Sequence, residues 1–150
     1  MLLVWAFNHQ EARACFSKAI DVWTSCDRPA DDRLRLAHWA MAHALSPNYN
    51  KPDMSAEELK EARAHSATAL RLLETADDSA QSRRFRALVS AQQVRLKQRE
   101  DDLSGAAFTA RDLAYAESMQ QLYDMERSVF NGRILIFYAR ILISVENFLI

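Results

Sequence analysis

The sequence predicts an all-α protein, and three observations carry that prediction. Two glycines and three prolines stand against 24 alanines in 150 residues, too few turn formers for a chain of many strands. Small and apolar residues recur at spacings of three and four, the period of one helix face. Ser, Asn and Asp precede these stretches, twice with Glu three residues later, the form of a helix N-terminus. The length suits one domain with a real core.

The elements follow in order. Asn8-His9-Gln10-Glu11 has the form of a capping box, and the helix after it is expected to run to about Trp23. Ala12, Phe16, Ala19 and Trp23 share one of its faces. Pro29 and its polar neighbours form a connector, and Asp32 is placed to cap a helix over Arg33–Leu45. Ser46-Pro47 ends that helix, because the residue before a proline is pushed out of the α region. Ser55 and Glu58 form a second capping box, opening a helix whose stripe is Leu59, Ala62, Ser66, Ala69 and Leu73. Asp77-Asp78-Ser79 punctuates again. The next helix carries Phe85, Val89, Gln92 and Leu96 and is expected to stop at REDDLSG. Thr109 with Asp112 is placed to open a last helix through Ala116, Met119 and Tyr123. Stripes of alanine let backbones approach closely, as antiparallel helices stacked in hairpins require.

Composition changes abruptly near Asp124. Of the 24 alanines 23 precede it, whereas Ile134–Ile150 holds five isoleucines and the span from Asp21 to Arg133 none. Residues 1–124 are therefore expected to form the helical repeat domain, and 125–150 a divergent apolar tail, itself helical. Arg140 and Glu146 interrupt the apolar run, which is short and charged for a membrane span. The N-terminal MLLVWAF lacks the basic flank and small-residue site of a signal peptide.

A net charge of −1 attracts neither a nucleic-acid backbone nor an anionic membrane as a whole. Cys15 and Cys26 form no disulfide framework and are expected to be reduced, buried side chains in the cytoplasm. His38 and His43 stand about 140° apart on a helix, and His9 and His65 are isolated in sequence, so no metal is expected. Paired acids such as Glu57-Glu58, Asp77-Asp78 and Asp101-Asp102 sit at helix starts and connectors, where the helix dipole and water explain them. Two glycines in all leave no phosphate loop, and no catalytic constellation or cofactor site is expected. Arg83, Arg84, Arg86, Arg95, Lys97 and Arg99 flank both sides of the Phe85–Leu96 stripe, as on a solvated helix with local ion pairs.

The spacing Ala12-x3-Phe16-x2-Ala19 resembles the second helix of a tetratricopeptide repeat, and Trp39 with Ala42 and His43 resembles the first helix of the next. Ala62-x3-Ser66-x2-Ala69 repeats the second-helix spacing, and Ala116-x3-Gln120-x2-Tyr123 does so loosely. The opening FNHQEA and the loop PNYNKP are similar to the start of large tetratricopeptide repeat proteins of bacteria and fungi. The resemblance covers about Leu2 to Asp124. Thr24 replaces that family's proline, Ala40 and Ser46 replace its glycines, and the units are stretched beyond the usual spacing of about 34 residues.

The resemblance implies a right-handed α-solenoid of about three irregular helical hairpins. It further implies a non-enzymatic scaffold holding a protein or peptide segment in a groove. Ala12, Phe16, Ala19, Trp39, Ala62 and Ala69 would pack the repeats, and Asn48, Tyr49, Asn50 and Lys51 are the candidate partner-binding residues. It also implies that the tail replaces further repeats in a truncated member. Two other readings stand beside this one. In the first, a truncated structural fragment self-associates through its tail; in the second, an enzyme or small-molecule binder uses the loops around His38, His43 and Tyr49.

Overall fold

The computed structural model describes residues 8–25, 32–47, 53–97 and 105–127, of which 105–112 and 125–127 enter as backbone alone. The described residues are all-helical. Five helices follow one another: α1 His9–Ser25, α2 Asp32–Leu45, α3 Ala56–Glu74, α4 Ala80–Arg95 and α5 Gly105–Arg127. Of the tail expected at 125–150, residues 125–127 belong to α5 and 128–150 lie outside the described residues, as does Cys26.

The starts of α1 and α3 carry caps at the residues the sequence predicts. Asn8 Oδ1 accepts the Glu11 N–H at 3.3 Å, satisfying one of the donors a helix leaves free at its first turn. Ser55 and Glu58 complete a reciprocal box: Glu58 N donates to Ser55 Oγ at 3.1 Å, and Ser55 N donates to Glu58 Oε2 at 3.1 Å. Ser79 caps α4, accepting from Ser82 N at 3.2 Å. The Ser79 and Ser82 hydroxyls both donate to Asp77 Oδ1, at 3.0 and 2.9 Å. These two bonds, Ser82's first, hold the Asp77 carboxyl below its ordinary value. At the other end of α2, Ser46 Oγ turns back onto Ala42 O at 2.8 Å and the helix stops before Pro47.

Each helix packs on the next in antiparallel sense, as the paired residues show. Ala12 near the start of α1 packs with Ala44 near the end of α2, while Arg33 lies over the Trp23 ring at their opposite ends. Met41, Ala42 and Leu45 of α2 meet Leu59 and Ala62 of α3, with Met54, Leu96 and the half-buried Phe16 and Ile20 closing that cluster. Trp39 and Ala40 meet Ala69 and Leu73, joined by Val89 from α4. Ala91 of α4 meets Tyr115, Met119 and Leu122 of α5.

Alanine decides how close these helices come. Ala42, Ala62 and Ala69 are fully buried, and at each the absent side chain leaves room for the facing backbone. The predicted α3 stripe of Leu59, Ala62, Ser66, Ala69 and Leu73 is the set of residues that α3 buries. Ala12 and Trp39 are buried, whereas Phe16 and Ala19 are half-buried.

Several expectations are corrected. Cys15 is exposed: the packed face of α1 centres on Phe16 between Ala12 and Ile20, which turns Cys15 about 100° away from it. Asp32 lies inside the first turn of α2 instead of capping it, and α1 runs on to Ser25. α4 stops at Arg95, before REDDLSG, and α5 begins at Gly105, so Thr109 is interior to a helix that Ala106 and Ala107 help to start. The buried face of α5 is Tyr115, Met119 and Leu122, with Gln120 exposed and Ala116 and Tyr123 half-buried. That face keeps the x3–x2 spacing one residue earlier than the alanines suggest. Burying Tyr, Met and Leu removes more apolar surface from water than burying Ala116 and Gln120 would. On α4, Ser82 and Ala91 are buried beside Val89 and Gln92, and Phe85 is half-buried.

Candidate functional site

A cleft of about 510 Å³ opens where the start of α1, the end of α2 and the start of α3 converge, a volume within the range of small-ligand sites. Ala44 and Leu45 form its apolar floor, and His9, Gln10, Arg13, Ser46 and Glu58 its polar walls. Capping fixes two of the walls. Glu58 is tied to the start of α3 by the reciprocal box with Ser55, and His9 opens α1 directly after its cap.

Arg13 reaches across from α1 to α3, 3.6 Å from Glu58 Oε1 and 3.6 Å from Glu61 Oε2. At those distances the pairs are loose and partly solvated, so they orient the guanidinium more than they stabilise the fold. Ser46 is committed, since its hydroxyl donates to Ala42 O. The cleft thus offers a guanidinium, an amide and a carboxylate over an alanine–leucine floor. These groups suit recognition of a polar chain segment with one small apolar anchor.

Asn48, Tyr49, Asn50 and Lys51, the loop residues singled out in the sequence, lie outside the described residues. The chain enters that loop from the cleft wall at Ser46, and Arg95 of α4 holds its first step by donating to Pro47 O at 2.8 Å.

Arg95 belongs to a set that the sequence pattern did not reveal. Arg35 Nε donates to Leu72 O at 3.0 Å, Arg86 to Leu73 O at 3.0 Å and Arg63 Nε to Leu96 O at 2.9 Å. Each acceptor is a carbonyl in the last turn of a helix or just beyond it. Such carbonyls have no partner within their own helix and carry the negative end of its dipole. Arg83 pairs instead with Asp78 at 3.0 Å, and the Arg95 guanidinium lies 5.2 Å from the centre of the Tyr115 ring. Of the basic concentration, Arg86 and Arg95 are thus spent on helix ends.

The histidines gather between α1, α2 and α3. His43 stacks on Trp39 and is held near a pKa of about 3, first by burial, then by the Arg95 guanidinium and by the neighbouring His9. His38, brought against His65, is lowered to about 4 by burial, by His65 and by Arg71. Burial also lowers His65, against the opposing pull of Glu61. Among the described residues no three His, Cys, Asp or Glu side chains group as a metal site, and no described helix is long and apolar enough to cross a membrane.

Comparison with family models, curated proteins and solved structures found no match for this chain.

Proposed function

We propose that the chain is a helical interaction module, a right-handed solenoid of tetratricopeptide-like hairpins that holds a peptide or partner segment without catalysing a reaction. One observation carries this reading. The x3–x2 seam recurs on α1, α3 and α5, at Ala12/Phe16/Ala19, Ala62/Ser66/Ala69 and Tyr115/Met119/Leu122. Its residues are buried or half-buried in all three helices. Alternate helices that share a packing seam are what a stack of helical hairpins requires. The intervening helices α2 and α4 then line one side, and Gln92 Nε2 of α4 reaches Trp39 O of α2 at 3.4 Å. The cleft at Arg13 and Gln10 supplies the recognition groups.

A protein or peptide fits this surface better than a nucleic acid, because Arg35, Arg63, Arg86 and Arg95 point their charges into helix-end carbonyls. A cytoplasmic setting belongs to the same reading, given two cysteines without a disulfide framework.

The test is selection of peptides from a displayed random library on the full chain, followed by affinity measurement on Arg13→Glu and Gln10→Ala. Selected peptides are expected to lose at least about tenfold in affinity on Arg13→Glu, a cost on the order of 1.4 kcal/mol. Peptides that bind both variants as tightly as the parent would sink the assignment of this cleft. A library yielding no specific binder would sink the module reading itself.

A further inference from the structure

Two imidazoles meet tip to tip across the α2–α3 interface. His38 Nδ1 and His65 Nδ1 stand 2.9 Å apart, and the ring centroids are 5.1 Å apart with the planes tilted by 40°. The centroid separation is close to the nitrogen separation plus the two ring radii, so the nitrogens lie nearly in line, as in a hydrogen bond. Such a bond needs one imidazole donating and the other offering its lone pair. Neutral rings satisfy it only as opposite tautomers.

We infer that His38 and His65 form a pH-sensitive clasp between α2 and α3, which keeps its bond when the pair binds one proton and opens when it binds two. Proton counting sets this behaviour. In the neutral pair a single proton lies between the Nδ1 atoms, and the donor ring keeps a free lone pair at Nε2. A first proton from solvent adds there, so the central bond survives and becomes charge-assisted. The acceptor's Nδ1 is then the last lone pair left, and a second proton must enter between the rings. Two N–H groups and two positive charges would face each other over 2.9 Å, so the rings must part.

The surrounding charges orient the clasp. Glu61, one turn before His65 on α3, draws positive charge toward His65, whereas Arg71 repels it from His38. An acceptor gives electron density to its donor, so these charges favour His65 as acceptor in the Nε2–H form and His38 as donor through Nδ1–H. Arg13 of α1 reaches Glu61 at 3.6 Å and moderates its pull. Arg35 of α2 is bonded to Asp32 and Leu72 O, and Arg86 and Arg95 of α4 to Leu73 O and Pro47 O. Both rings are half-buried, so protons from solvent reach them. Burial, then His65 and Arg71, lower His38 to about 4, so the clasp holds from neutrality down to about that pH.

Nuclear magnetic resonance of the isotope-labelled full chain, titrated from pH 7.5 to 3.5, tests this. At pH 7.5 the ring-nitrogen shifts are expected to show His38 as the Nδ1–H tautomer and His65 as Nε2–H, with a scalar coupling across the bridge. On acidification the pair is expected to titrate in two separated steps, and amide shift changes confined to α2 and α3 to accompany the second. Two Nε2–H rings at pH 7.5, or one joint titration near pH 6.5, overturn the clasp. So does global unfolding with no second step. His65→Asn sets an amide oxygen in place of Nδ1 and takes up no proton, so the His38 value is expected to rise and the second step to vanish. An unchanged His38 titration in that variant also overturns the clasp, and the parent spectra decide the matter if it does not fold.

Discussion

The His43 imidazole lies flat on the Trp39 indole, with ring centroids 5.4 Å apart and planes within 9° of parallel. The two residues are one helical turn apart on α2, so the stack forms as soon as the helix does. Burial, Arg95 from α4 and His9 from α1 hold this ring neutral down to a pKa of about 3. The unfolded chain takes up that proton near pH 6.5. The His43 contribution is therefore fully present above pH 6.5 and is lost as the pH drops from there toward 3, by up to about 1.4 kcal/mol per pH unit, with the lowered His38 and His65 adding to the fall in the same direction. Asp77 works in the same direction at lower pH, since its lowered carboxyl loses its hydroxyl partners on protonation. Urea unfolding at pH 7 and pH 4.5 checks this. His43→Phe keeps a ring on Trp39 and is expected to flatten the slope between pH 6.5 and 4.5.

Arg35 and Arg83 are expected to differ sharply when truncated. Arg35 is buried, paired with Asp32 and bonded to Leu72 O. Arg35→Ala removes a charge-assisted bond and its packing, costing about 2 kcal/mol. Arg83 is exposed in its pair with Asp78, and Arg83→Ala is expected to change stability by less than about 0.5 kcal/mol. Equal effects in denaturant unfolding would contradict the role given to helix-end carbonyls.

Ser55→Ala removes the acceptor at the start of α3 and leaves the Glu58 N–H without its cap. A loss of about 1 kcal/mol is expected. The Glu57 carboxyl, held low first by its own backbone N–H and then by the Ser55 hydroxyl, should also rise toward its ordinary value. Carboxyl chemical shifts followed through an acid titration report that change directly.

Ser66 tests the seam from the opposite side. Its hydroxyl is buried with no hydrogen-bond partner among the described residues, a cost that Ser66→Ala would remove. This variant is expected to gain about 1 kcal/mol. Ala62→Leu, four residues earlier on the same stripe, forces a larger side chain between α2 and α3. It is expected to lose about 2 kcal/mol or more in the same unfolding assay.

Local chemistry was legible in the sequence, and contacts set by tertiary packing were not. The cap at Ser55 and the α3 stripe depend on residues within one or two turns, so spacing alone locates them. The face of α5 is misjudged by one position because small residues mark a seam only where larger apolar neighbours do not compete. Tyr115, Met119 and Leu122 do compete, and they outweigh Ala116 and Gln120 in buried area. Cys15 is misjudged because the α1 face centres on Phe16, with Ala12 and Ile20 at its sides, and Cys15 is turned about 100° from that centre. His65 looks isolated in the sequence, since its partner His38 lies 27 residues away on another helix. The arginine-to-carbonyl bonds span 13 to 48 residues, and no helical period encodes them. Of the candidate site, the chain pattern points to the loop at 48–51, whereas the cleft emerges only when three helix ends meet.

The end of α3 is gripped from two sides, by Arg35 of α2 at Leu72 and by Arg86 of α4 at Leu73. Helix termini usually fray first, opening at little cost before the rest of the molecule responds. Here the terminus cannot open until both neighbours release it, and Arg63 returns the grip by holding Leu96 O at the end of α4. α2, α3 and α4 thus share one cooperative opening event, a single foldon spanning three helices. Amide hydrogens at the end of α3 would then exchange at the rate of that whole unit.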